Sequence, residues 1–135
     1  LEFGLGGAIE RLVGRGHEVV VIQTVPVWRG DYDWSLDQCT FWETLAGCNQ
    51  IMPLSAARSS ELPLQDIIED TAGRFGASVV DFSDEICPGE ICQTHLNGSW
   101  TYRDYSHLTN AFSKSLESRW VELLTTRYLE AGFTQ

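Results

Sequence analysis

The chain has 135 residues, 43% of them hydrophobic and 11% aromatic, with a formal net charge of −10. That length fits one domain or part of one, since domains commonly run to about 100–150 residues, and five tryptophans argue against a disordered chain. The acidic balance, with a pI near 4.5, speaks against a nucleic-acid partner, which needs a basic face, and against docking on anionic lipid.

The longest apolar run, residues 19–27, is broken by Gln23, Thr24 and Pro26 and falls far short of the roughly 20 residues of a membrane helix. The first residues show no basic n-region and no apolar h-region, so no signal peptide is expected in them. Leu1-Glu2-Phe3 opens without a Met and reads as sequence encoded by cloning sites, so the natural protein is expected to extend upstream.

In chain order, Leu5, Ala8, Ile9, Leu12 and Val13 recur at the spacing of one helix face, and Gly14 and Gly16 supply a stop. The β-branched run 19–25 predicts a strand covered on both faces, as in parallel sheets, and Pro26 ends it. Residues 28–53 show no period. A stretch of that length is expected to be functional or stapled. Asp31, Asp33 and Asp37 within it lack the glycine and terminal Glu of a calcium loop, so a solvated turn is expected.

Ser60 is a candidate cap for a second helix, with Pro63 in its first turn and Leu64, Ile67, Ile68, Ala72 and Phe75 as its stripe. Gly76 stops it, and residues 77–82 predict a second buried strand. Asn97-Gly98 predicts a tight turn folding 93–96 against 99–102. A last helix of about 20 residues is predicted from the stripe Leu108, Ala111, Phe112, Leu116, Trp120, Leu123, Leu124 and Tyr128, with Thr109 as N-cap and Gly132 as its end. With no internal repeat or linker, residues 1–135 read as a single α/β unit. Two parallel strands are few, so a part of a larger three-layer domain is expected, able to dimerise through an exposed sheet edge.

The four cysteines, Cys39, Cys48, Cys87 and Cys92, allow three pairings. The short-range bridges Cys39–Cys48 and Cys87–Cys92 need least of the fold and imply an oxidising compartment. Free buried thiols are the alternative, and neither spacing is that of a zinc finger.

The chemistry concentrates in Tyr102-Arg103-Asp104-Tyr105-Ser106-His107-Leu108-Thr109. A carboxylate three residues before an imidazole, in a turn entering a helix, can bond the ring directly. A base and its orienting carboxylate need that contact. Tyr102, Arg103 and Tyr105 are placed to line the approach. Spacing alone is a weak signal, because D-x-x-H recurs by chance. A zinc site of Asp104, His107 and His95 is a rival without a fourth ligand.

Residues 81–116 resemble the end of an SGNH-type hydrolase domain (the GDSL family). More narrowly, they resemble the extracytoplasmic SGNH domain fused behind the membrane-spanning acyltransferase-3 domain of bacterial cell-envelope O-acyltransferases. The carrying residues are Val79-Val80-Asp81, Cys87-Pro88 with Cys92, Asn97-Gly98, and the run 102–109. The resemblance implies a parallel sheet of five strands between helices, of which this chain holds the C-terminal part. It implies His107 as general base and Asp104 as its orienting partner. The implied activity moves acyl groups on and off carbohydrate hydroxyls through an acyl-serine. The implied partners are an acylated carbohydrate or acyl carrier and a membrane-spanning acyltransferase domain in the same parent, on the extracytoplasmic side. No metal or other cofactor is implied.

One departure matters. No Gly-Asp-Ser block occurs, and the lone Gly-Asp, Gly30-Asp31, is followed by Tyr32. No nucleophile is therefore assigned here, and the isolated chain is expected to be inactive. The competing reading is a secreted, disulfide-stapled carbohydrate-binding module using Trp28, Trp34, Trp42 and Trp100 as stacking platforms.

Overall fold

A two-stranded parallel sheet, flanked by helices, organises the chain. The computed structural model describes residues 2–39, 48–59 and 61–130. Strand β1 (Val20–Ile22) pairs in parallel with β3 (Ser78–Val80), register Val20 to Ser78, Val21 to Val79 and Ile22 to Val80. Gln23 extends the ladder by one bond, its N–H donating to Val80 O at 2.8 Å. Among the described residues β1 has no second neighbour. The expectation of a strand covered on both faces is corrected accordingly: Val20 and Val21 are half-buried and Ile22 is exposed. A β-branched run marks a strand, but burial depends on what packs over it.

Helix α1 (Glu2–Val13) packs against α3 (Leu62–Arg74), the helix that joins the two halves of the parallel unit. Ile9 is buried, while Ala8 and Leu12 of the expected stripe are exposed. Gly6 permits the close approach: a Cβ there would lie 2.6 Å from the ring of Phe75. The stops after both helices are left-handed glycines, Gly16 at φ 82° and Gly76 at φ 80°, a conformation that disfavours any side chain. The expected cap Ser60 lies outside the described residues.

Further elements went unanticipated. Strand β2 (Ile51–Pro53) pairs antiparallel with β4 (Ile91–Gln93), and the short helix α2 (Leu54–Ser59) follows β2 directly. Because Gln93 is engaged by Ile51, the hairpin at Asn97-Gly98 is shorter than expected: β5 (His95–Leu96) against β6 (Ser99–Trp100). Asn97 and Gly98 both take positive φ, 52° and 81°, as a tight two-residue turn requires. The buried Thr94 stitches the two small sheets together. It donates from Oγ1 to Cys48 O (2.9 Å), from N to Gln50 O (3.0 Å), and accepts from Gln50 N (2.9 Å).

Both expected disulfides form, Cys39–Cys48 and Cys87–Cys92. The second closes the turn between α4 (Ser83–Ile86) and β4. The expected single last helix is two, α5 (Asn110–Ser115) and α6 (Glu117–Glu130). Ser115 Oγ bonds back to Phe112 O at 2.7 Å, and such back-bonding bends helices. The core lies between the sheet, the disulfide turn and these helices, around Trp28, Met52, Ile86, Tyr102 and Phe112. Tyr128 and Gly132 of the expected helix lie beyond what is described of side chains and backbone respectively.

Candidate active site

A single aspartate folds the loop between β6 and α5. Asp104 Oδ1 accepts from Ser106 N (3.0 Å) and His107 N (2.9 Å), closing a turn by bonding backbone donors a few residues on. That turn swings the His107 ring back onto the same carboxylate: Nδ1 stands 2.8 Å from Oδ1 and 3.0 Å from Oδ2. Spacing of three residues is therefore the consequence of one local motif. The turn is clamped at its base, where Arg103 N donates to His107 O at 2.8 Å and Tyr102 bridges Leu108.

Beyond it, Thr109 is the N-cap of α5. Its Oγ1 accepts from Phe112 N at 3.1 Å and donates to Trp100 O at 2.5 Å, so the helix start and the hairpin are held by one side chain. From the other side, the segment leaving β1 braces the turn. Trp28 N donates to Tyr105 O at 2.7 Å, and Leu36 N to Arg103 O at 3.1 Å. The Arg29 guanidinium sits 5.1 Å above the Tyr105 ring. The dyad is thus fixed to the chain that emerges from the C-terminal end of a parallel strand, where such sheets collect their sites.

Electrostatically, burial works to raise the Asp104 carboxyl. The Ser106 amide, the His107 ring, the His107 amide and the imidazole's charge outweigh it and hold Asp104 well below the usual carboxylate range. Arg103 adds a weaker contact, its Nε and Nη2 each 3.4 Å from Oδ2. The His107 side chain is 64% exposed, against 25% for Asp104. The carboxylate holds Nδ1 and leaves Nε2 turned away from it.

The other predicted site residues divide. Arg103 and Tyr105 are exposed at the turn. Tyr102 is corrected: it is fully buried, edge-on to Trp28 at 5.8 Å, and burial pushes its phenol above the ordinary tyrosine range. It supports the turn from beneath and lines no approach. His95 stacks edge-on against Trp100, and among the described residues no three His, Cys, Asp or Glu side chains gather as a metal site. Trp28 and Trp34 are buried, so neither is a stacking platform; Trp42 lies outside the described residues. Ser106 was not singled out. Its Oγ lies 3.2 Å from His107 Nδ1. That is the nitrogen Asp104 occupies, so Ser106 is misplaced to lose its proton to the free one. Nothing in the spacing of residue types signalled the Trp28 and Leu36 braces, which are backbone bonds.

The family model of the SGNH domain (fused to AT3 domains) matches residues 3–122, and the chain belongs to this family. It is therefore a domain of the hydrolase and acyltransferase type, of the kind joined to membrane acyltransferase domains. No curated protein and no solved structure matches the chain. Among the described residues no helix is long and apolar enough to cross a membrane.

Proposed function

We propose that this chain supplies the base and its orienting carboxylate to an O-acyl transfer or ester hydrolysis site acting on cell-envelope carbohydrate hydroxyls. The observation that carries the reading is the Asp104–His107 contact at 2.8 Å, with Nδ1 engaged and the imidazole open to solvent. In this mechanism Nε2 takes the proton of a serine hydroxyl as that oxygen attacks the acyl carbonyl. Asp104 stabilises the imidazolium, which then protonates the departing alkoxide oxygen. A sugar hydroxyl or water repeats the cycle on the acyl-serine.

In this reading the attacking serine comes from outside these 135 residues: no Gly-Asp-Ser setting occurs in the sequence, and among the described residues the serine that meets the His107 ring, Ser106, does so at Nδ1. The two disulfides suit an oxidising, extracytoplasmic setting.

The test is turnover of an aryl acetate by a longer protein that includes this stretch and a Gly-Asp-Ser block. His107→Ala is expected to lower kcat by about 10²–10⁴-fold, and the isolated chain is expected to show no His107-dependent turnover. Full activity in the longer His107→Ala protein would refute the assignment.

A further inference from the structure

One hydroxyl reaches both members of the dyad. Ser106 Oγ stands 3.2 Å from His107 Nδ1, at the long end of N–H···O hydrogen bonds, and 3.4 Å from Asp104 Oδ1. Its backbone is pinned there, because the Ser106 amide donates to the same Oδ1 at 3.0 Å. Three oxygens therefore fan around one ring nitrogen: Oδ1 at 2.8 Å, Oδ2 at 3.0 Å and Ser106 Oγ at 3.2 Å. The Oδ2 edge of the carboxylate is flanked by Arg103, and the Oδ1 edge by Ser106.

The ring depends on that fan for its direction. The His107 side chain is 64% exposed, and among the described residues every polar contact of its ring is made at Nδ1. Packing cannot orient a ring that open to solvent, so hydrogen bonds along one edge must. Asp104 decides which nitrogen carries the proton, because a carboxylate only accepts. A hydroxyl both donates and accepts, so Ser106 follows that choice and does not make it. With Nδ1–H aimed at the carboxylate, Oγ accepts a share of it and its own proton is free for Oδ1. We propose that Ser106 is a positioning residue of this dyad. Its half-buried hydroxyl narrows the swing of the His107 ring and keeps water from competing for Nδ1–H, so that Nε2 holds one direction. Its benefit to acyl transfer rests on the reading of His107 as the base; its hold on the ring does not.

The experiment compares Ser106→Ala and Ser106→Thr with the unaltered chain, both disulfides formed and the histidines ¹⁵N-labelled. Ser106→Ala keeps the amide that Asp104 binds, so Tm at pH 7 is expected to stay within about 2 °C and Nδ1–H to remain the main tautomer. Exchange of the Nδ1 proton with water, read at low temperature, is expected to quicken about fivefold or more. Ser106→Thr, which keeps the oxygen, is expected to restore it. In the longer protein carrying a Gly-Asp-Ser block, Ser106→Ala is expected to lower kcat for an aryl acetate about three- to tenfold with KM unchanged. In a His107→Ala background the same change is expected to have no effect, since a positioning residue acts through the ring. Unchanged exchange in Ser106→Ala, exchange that Ser106→Thr fails to restore, or a fall in kcat that persists without His107 would overturn the proposal. So would a fall in Tm large enough to assign the faster exchange to a loosened turn. Full turnover by His107→Ala would overturn the base reading instead, and the exchange result then decides the Ser106 contact by itself.

Discussion

The Trp28 amide donates to the Tyr105 carbonyl at 2.7 Å, joining the segment that leaves β1 to the turn that holds Asp104 and His107. With Leu36 N to Arg103 O and Arg103 N to His107 O, it makes the turn a closed frame on a buried base of Trp28 and Tyr102.

A frame of this kind opens as one unit. The amides of Trp28, Leu36, Arg103 and Thr109 are expected to share similar hydrogen-exchange protection, well above that of exposed loop amides. Trp28→Ala deletes a fully buried ring and is expected to cost about 3–5 kcal/mol, read as a fall in Tm of more than about 10 °C. Fast exchange at the Trp28 amide in the unaltered protein would show that the brace is absent.

Acid should loosen the turn. The folded chain holds the Asp104 carboxyl below its ordinary range, so at low pH the unfolded chain binds its proton first. The stabilisation is complete above the unfolded value of about 4 and is lost as pH falls through the folded one. Asp104→Asn is therefore expected to lower Tm at pH 7, with the gap to the unaltered protein narrowing by pH 3. A gap that is constant across that window would assign the loss to packing. Because Asp104 is ionised throughout the neutral range, any change in activity between pH 5 and pH 8 comes from another group.

The disulfides are separately testable. Intact mass with and without reductant should differ by four hydrogens, one pair for each bridge. Opening either bridge by paired Cys→Ser substitution is expected to cost about 2–4 kcal/mol, since each restricts the unfolded chain. Four free thiols in protein purified from an oxidising compartment would contradict both.

Much of the site was legible because its logic is local. Asp104 folds its own turn, Thr109 caps its own helix, and Asn97-Gly98 makes its own hairpin, each readable from residue type and short spacing. What escaped depended on distant pairing. Ile51–Pro53 has no strand pattern of its own and becomes β2 only because β4 is there to pair with it. Tyr102 reads as a site residue from its neighbours in sequence, yet its bridge to Leu108 and its packing on Trp28 hold it inward beside the equally buried Thr101. For the tryptophans of the loop, sequence left both core packing and stacking on sugar rings open; Trp28 and Trp34 turn out to be core.

The central claim is that Asp104 fixes His107 so that Nε2 is the basic nitrogen. The direct measurement is the tautomer of neutral His107, read from the ¹⁵N shifts and couplings of its ring in the purified chain. The expected result is a dominant Nδ1–H form that gives way to the Nε2–H form in Asp104→Asn. A dominant Nε2–H form in the unaltered protein, or a tautomer indifferent to Asp104, would contradict it.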